Sequence, residues 1–422
     1  MEMPADERVL PDRADVVVIG GGIVGCATAY YLARRRLRVA LVEKGDIAGE
    51  QSGRNWGFVR QQGRDPTEVP LMMASNRLWC NLAEELACDV EWTQGGNLAL
   101  ADDEQTAELY ATWVASAREI GLGTRVITMN EIRRILPGVR RSWVAGMYTP
   151  TDGHANPVKS TSAFAAAALR LGASIITHCT ARAIVVAGGH VIGLDTDKGM
   201  VRANAVVCAA GIWSRRLAST VGVDVPQGVV KATVAATDAL PPLTKTGVWA
   251  SDLAFRQMPR GAVVFSSGGT GEIELLLNSV RHIRQFLPIY LRNRRQFKLS
   301  LGDPRGLRHY QSSEPTPDYE AALKALRIAK QWFPQLDRAA IQSIWAGYID
   351  GTPDNVPILE ALRKPVGLVL ACGTSGHGFA MGPIFGSVIA DLVAGGRPEF
   401  DLEGMRLSRF DGKAAVRPRA IL

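Results

Sequence analysis

The chain has 422 residues, of which 47% are apolar, 21% charged and 7% aromatic. That is the composition of a folded protein of two or three domains, and it excludes collagen-like, disordered and disulfide-stapled classes. The net charge of +7 is local, because Arg281 to Arg308 carries eight basic residues against Asp303 alone, so no surface built for nucleic acid is expected.

Six cysteines (Cys26, Cys80, Cys88, Cys179, Cys208, Cys372) contain no C-x-x-C pair, which suits a reduced, cytoplasmic protein. His154, His178, His190, His282 and His309 have no ligand spacing, so no metal is expected. The N-terminus MEMPADERVLPDRAD lacks the apolar stretch of a signal peptide.

In chain order, Asp15 to Ile19 reads as a buried strand, Gly20-x-Gly22-x-x-Gly25 as a turn, Cys26 to Arg35 as a helix and Arg38 to Val42 as a second strand. The stretch from Val16 to Ala33 is uncharged and long enough to raise the question of a membrane span. Its three consecutive glycines disfavour one continuous helix, so strand, turn and buried helix is the expected order. The first glycine permits the tight turn, the second lets backbone approach a pyrophosphate, and the third lets helix pack on strand. Exposed N–H groups and the helix dipole there favour phosphate. Glu43 ends the second strand, about where an acidic side chain meets ribose hydroxyls.

Pro66 to Leu136 is mixed and helix-rich. His178 to Val186 and His190 to Asp195 read as alternating strands around Gly188-Gly189, and Val201 to Gly211 as a buried strand with a small-residue end. Gln227 to Gln342 alternates strands with the basic stretch. Leu368 to Ala371, Gly373 to Gly378 and Phe379 to Ala394 repeat the order strand, glycine turn, helix, closed by Gly395-Gly396.

These pieces together resemble the D-amino-acid oxidase family of FAD-dependent amine oxidoreductases, its glycine and sarcosine oxidase-like members in particular. The resemblance rests on VVVIGGGIVGCATAYYLA, Glu43-Lys44, Ser52 to Gly57, Asp152 to Pro157, Val206 to Ser214, Trp345-Ala346-Gly347 with Thr352-Pro353-Asp354, and Gly373 to Phe379, in the family's order across the chain. It implies an α/β fold: a discontinuous Rossmann-like FAD-binding domain over 1–60, 145–225 and 340–415, with an α+β substrate domain over 61–144 and 226–339.

The resemblance implies that Gly20, Gly22, Ile23, Val24 and Gly25 hold the FAD pyrophosphate and that Glu43, with Lys44, meets the adenosine ribose. Ser52, Arg54, Asn55, Trp56 and Gly57 would run beside pyrophosphate and flavin. Ala181, Arg182, Ala209, Gly211, Trp213 and Gly347 complete the expected cofactor contacts. Gly376, His377, Gly378 and Phe379 would lie at the pyrimidine end of the flavin, where negative charge appears on reduction and a helix N-terminus stabilises it. His377 acts there through its backbone or its ring; the backbone is the first expectation.

The implied reaction is oxidative deamination or dealkylation of an amino or imino acid or related secondary amine. A hydride passes to flavin N5 and the imine then hydrolyses, with oxygen or a quinone or carrier as final acceptor. Some members attach flavin through a cysteine before the T-P-D segment or a histidine in the early loop. Gly347 stands at the first place and Ser52 to Gly57 holds no histidine, so FAD is expected to be non-covalent. Two familiar carboxylate anchors are also missing, with Tyr348 after W-A-G and Ala380 after G-H-G-F. Arg54, Arg60 and Arg256 are the remaining candidates, Tyr348 a possible hydroxyl donor, and Asp350 a partner for a second amine of an opine or polyamine substrate.

The segment Arg281 to Arg308 reads as a solvated helical face, or as a dock for a partner subunit or the inner face of a membrane. The alternative to an independent enzyme is therefore the flavoprotein subunit of a multi-subunit or membrane-coupled, opine-type amine dehydrogenase.

Overall fold

The protein is described here from a computed structural model, which covers residues 9–268, 271–275, 281–293, 297–301, 314–411 and 418–421. Two sheets organise the chain. The smaller has six strands. Leu368–Cys372, Ala205–Cys208, Val16–Ile19, Val39–Val42 and Ser174–Ile176 run parallel in that spatial order, and Ile358–Ala361 closes the Leu368–Cys372 edge antiparallel.

The first strand is apolar at every position because both of its faces are covered. Val16 and Val18 point into a core with helices Ile23–Arg34 and Gly378–Val393. Val17 and Ile19 point the other way, towards Ile184, Leu194 and Leu217. The same alternation splits Leu41 from Ala40 and Val42, as the two-residue period of a strand requires. The two helices cross closely: a Cβ on Gly386 would come 2.7 Å from that of Ala27. Small residues permit this close crossing, and because each helix follows a parallel strand of the same sheet, both N-termini lie at the same end of it.

Residues 201–211 depart from the expected single strand. Gly199–Arg202 belongs to a three-stranded antiparallel meander with His190–Thr196 and Ala181–Ala187, while Ala205–Cys208 enters the parallel sheet. The polar residues Arg202 and Asn204 lie at this change of sheet, where a continuous buried strand would have to bury them.

The larger sheet is built on Gly228–Ala239, which pairs antiparallel with Ile341–Gly351 from Gly228 opposite Gly351 to Thr237 opposite Ile341. Ala262–Ser266, Ala254–Gln257, Gly247–Trp249, Asn97–Ala101, Ala145–Thr149 and Arg125–Ile127 extend it on one side, and Gly271–Leu275 and Phe297–Leu301 on the other. Helix Tyr319–Trp332 covers it with Ala322, Ala325, Leu326 and Ala329, beside Trp143, Phe255 and Phe333.

The sheets cross two of the expected domain borders. Ala145–Thr149 pairs with Asn97–Ala101, and Ile341–Gly351 with Gly228–Ala239, so both strands belong to the larger sheet. Between residues 66 and 136 the chain forms helices Val69–Glu85, Glu104–Glu119 and Met129–Ile135. Among the described residues no helix is long and apolar enough to cross a membrane, and no cluster of His, Cys, Asp and Glu has metal-ligand geometry.

Candidate active site

A deep cavity opens at the carboxyl ends of the parallel strands, where the two helix N-termini converge. The glycine turn that makes it is tightly fitted. Gly20 has φ +112°, and a Cβ there would strike the Ala209 carbonyl; a Cβ on Gly25 would strike the carbonyl of Gly20. Glu43 is buried and accepts from Gly21 N at 2.6 Å and Gly45 N at 2.7 Å. Burial pushes its carboxyl pKa up, against the pull of those two N–H groups. Ser52 Oγ accepts from Ile23 N at 2.8 Å and so ties the 52–57 loop to the first helix. Lys44 sits over the Trp213 ring, 4.8 Å from its centroid, and pairs with Glu50.

The far end of the cavity is shaped by Asp350. Its carboxylate accepts from Gly373 N at 2.7 Å, Thr374 N at 3.2 Å and Thr374 Oγ1 at 3.0 Å. Gln51 Nε2 and Gln227 Nε2 donate to it as well, at 2.9 and 3.3 Å. Asp350 is 1% exposed. These donors occupy the group expected to reach a second substrate amine; Asp350 instead fixes the turn that delivers Gly376, Gly378 and Phe379 to the cavity.

A second cavity adjoins the first and shares Gln51, Asn55, Tyr348, Ile349, Gly376 and Phe379 with it. Its walls are aromatic and cationic. Trp56 stacks on Trp249 at 5.2 Å and meets Phe58 edge-on at 5.9 Å; Phe286, Tyr290 and Phe297 face them. Arg60 is buried with its guanidinium 5.7 Å from the Trp249 centroid, and burial lowers its pKa to about 10, which leaves it charged at neutral pH. Arg64 Nη1 lies 3.6 Å from Glu68 Oε1, and the same oxygen is 2.8 Å from His377 Nδ1.

The sequence profile of the FAD dependent oxidoreductase (DAO) family matches residues 15–392. The chain belongs to this family. Over 413 residues this FAD-dependent oxidoreductase is 30% identical to glycine oxidase from Geobacillus kaustophilus, spanning 96% of the chain and 99% of that protein. It is 26% identical to sarcosine oxidase subunit beta from an Arthrobacter species, over 94% of the chain and 91% of the relative. The structure of L-amino acid deaminase from Proteus myxofaciens, in complex with anthranilate, superposes with a TM-score of 0.90 at 28% identity, covering 97% of the chain and 96% of that structure.

The first cavity suits the dinucleotide cofactor of such an oxidoreductase on its own chemistry. Neither helix N-terminus has a side-chain cap from its own N-cap residue, Gly22 or His377, and both open into the cavity. A pyrophosphate at one, and at the other the end of a flavin ring that gains negative charge on reduction, would meet the two positive dipole ends.

The residues expected from sequence divide by position. Gly20, Gly22, Ile23, Val24, Glu43, Lys44, Ser52, Asn55, Ala181, Ala209, Gly211, Trp213, Tyr348, Gly376, Gly378 and Phe379 line the first cavity. Arg54, Trp56, Gly347 and His377 line only the second. Gly25 is packed beneath the turn, Gly57 lies against Ala155 and Arg256, and Arg182 is exposed on its strand. Arg256 lines neither cavity: it is buried with Nε donating to the Trp56 carbonyl, so it supports the loop from behind. Tyr348 donates to Glu274 Oε1 at 3.3 Å.

Gln51, Glu68 and the aromatic wall were not expected from sequence. For Glu68 one signal existed, its four-residue spacing from Arg64 just before a helix. The basic helix Ile283–Asn293 is not simply a solvated face, because Phe286, Ile289 and Tyr290 form a wall of the second cavity. Arg294, Arg295, Arg305 and Arg308 lie outside the described residues.

Proposed function

We propose that this enzyme oxidises amino acids or secondary amines bearing a bulky apolar substituent, with FAD held non-covalently in the first cavity and the substrate in the second. The observation that carries this reading is the junction of the two cavities at Tyr348, Gly376 and Phe379. When bound, FAD supplies a two-electron acceptor for the hydride of the amine's α-carbon.

The chain's own part is binding and positioning. The N–H groups of Gly22 and Val24, on either side of the Ile23 N–H that Ser52 already takes, face a pyrophosphate, and Glu43, which keeps lone pairs beyond its two backbone bonds, accepts from ribose hydroxyls. Arg60 pairs with a substrate carboxylate, its guanidinium offering several donors in a fixed fork. Trp56, Trp249, Phe286 and Tyr290 enclose the substituent and exclude water from it. That wall leaves much space unfilled around glycine or sarcosine.

Anaerobic absorbance scans of the FAD-loaded protein against amino acids and N-alkyl amines of graded size test this. Bleaching of the flavin band that strengthens with substituent size supports the reading. Bleaching by glycine or sarcosine alone overturns the size preference, and bleaching by no amine overturns the oxidation itself. Readmitting air then separates oxygen from a quinone or carrier as the acceptor.

A second reading, of a subunit within a larger assembly, rests on Ile283, Leu287 and Leu291. They are 56%, 48% and 53% exposed and repeat every four residues along one helix face beside Arg284. A relative of this chain is itself a sarcosine oxidase subunit. Turnover by the isolated chain with an artificial acceptor, but not with oxygen, favours this reading.

A further inference from the structure

The second cavity has more cationic than anionic side chains in its wall. Arg54, Arg60, Arg64 and Arg292 line it, while its two carboxylates are already engaged. Asp102 accepts from Arg141 and Ser251, and Asp103 caps helix Glu104–Glu119 by accepting from Thr106 N. An amino-acid substrate brings both a carboxylate and a nitrogen with hydrogens to donate. The arginines satisfy the first, and the second needs an acceptor.

His377 is placed to be that acceptor. Its ring lines the cavity, Nδ1 faces Glu68 Oε1 at 2.8 Å, and Nε2 has no hydrogen-bond partner among the described residues. An ionised carboxylate only accepts, so the Nδ1 nitrogen carries the hydrogen and a neutral ring presents a lone pair at Nε2. Glu68 has no solvent exposure, its Oε2 has no partner among the described residues, and Arg64 stands 3.6 Å from Oε1. The groups that face the ring are thus Glu68, Arg64 and Arg60. Burial lowers the His377 pKa and the two arginines add to this, while Glu68 opposes it.

We propose that His377, held by Glu68 as the Nδ1–H tautomer, accepts the substrate's amine hydrogen at Nε2, and that Glu68 is its positioning residue. The proposal rests on the amine-oxidation reading above. An ammonium substrate passes one proton in this step: a nitrogen–hydrogen bond of the substrate breaks and an Nε2–H bond forms. The resulting imidazolium is met by the charge of Glu68. The substrate nitrogen keeps its electron pair, the state an amine needs before its α-hydrogen leaves as hydride.

The test uses the FAD-loaded full chain. Nitrogen NMR with labelled histidine should show the Nδ1–H tautomer for His377; the Nε2–H tautomer overturns the proposal. Glu68→Gln removes the one anion facing the ring, so the acidic limb of the kcat/KM profile should move to lower pH; an unmoved limb counts against the assignment. His377→Gln, which keeps an acceptor near the Nε2 position, should retain more activity than His377→Leu. In calorimetry, His377→Leu should weaken an amino-acid ligand by about tenfold or more and bind the same ligand with methyl in place of amine within about twofold of wild type. Equal losses for both ligands overturn the role. Should wild type reduce flavin with no amine, the oxidation reading falls, while the tautomer and the paired binding measurements still decide the part played by His377.

Discussion

Gln51 and Asp350 are hydrogen-bonded at 2.9 Å across 299 positions of chain. Gln51 also accepts from Ile212 N at 3.0 Å, so one side chain joins the early loop, the 211–213 turn and the end of strand Ile341–Gly351. That strand begins within the larger sheet and ends at the cofactor cavity, with Tyr348 facing both cavities. The relative placement of the two cavities is therefore set by buried polar bonds as well as by apolar packing.

Asp350→Ala should consequently reach further than one contact. It strands Gly373 N, Thr374 N and two glutamine amides in a dry site, where each unmet donor costs about 1–3 kcal/mol. The apo protein should lose about 3 kcal/mol or more in urea unfolding and bind FAD more weakly. Asp350→Asn keeps the shape but turns amide hydrogens towards some of these donors, Gln51 Nε2 on one side or Gly373 N on the other, so it should lie between wild type and Ala. An alanine variant as stable as wild type would show that the carboxylate does not organise the turn.

Gly22→Leu should separate cofactor binding from folding. Gly22 has φ −78° and ψ 176°, which any residue adopts, and the nearest neighbour of a Cβ there is Ser52 Oγ at 2.9 Å. Stability of the apo protein should fall by about 1 kcal/mol, while a side chain projecting into the cavity weakens FAD by about a hundredfold. Fluorescence titration of FAD into the variant checks this, and undiminished affinity would place the pyrophosphate elsewhere.

Asp152 gives the fold a pH signature. Its Oδ1 accepts from Gln61 N and Nε2 at 2.8 Å, Oδ2 has no partner among the described residues, and burial pushes the carboxyl up to about 6. The unfolded group titrates near 4, so between about pH 4 and pH 6 the native state holds a proton that the unfolded chain releases. The stabilisation is complete below about pH 4 and is lost as pH rises towards 6, by about 1.4 kcal/mol per unit at most. Asp152→Asn lacks this titration. The stability of wild type relative to the variant should drop by about 3 kcal/mol between pH 4 and pH 7 in urea unfolding, and a constant difference would contradict the assignment.

What sequence reveals here is what local chemistry constrains. Gly20, Gly22, Gly25 and Glu43 are legible because a strand, a turn and a helix within thirty residues leave few residue types at each place. The 373–379 turn is legible for the same reason. Glu68 and His377 are separated by 309 positions, and nothing local to either announces the other. Asp350 reads as a substrate contact by its place after W-A-G, but only packing reveals that five donors enclose it. The aromatic wall is collected from four separate segments, and neither the cofactor loop that holds Trp56 nor the basic stretch that holds Phe286 and Tyr290 announces that the others meet it.

Arg60 and Arg256 look equivalent in sequence, and their surroundings predict opposite phenotypes. Arg60 faces the second cavity, so Arg60→Gln should raise KM for an amino-acid substrate about 10–100-fold with a smaller change in kcat. Arg256 faces the back of the loop, where Nε donates to the Trp56 carbonyl and Nη2 lies beside Gly57. Arg256→Gln leaves that half-buried carbonyl without its charged donor and should cost about 1–3 kcal/mol of stability, with KM within about threefold of wild type. Steady-state kinetics and thermal unfolding of both variants distinguish the two roles. A KM effect confined to Arg256→Gln would make Arg256 the carboxylate clamp after all and leave Arg60 as support for the Gln62 carbonyl, to which its Nη1 donates at 2.6 Å.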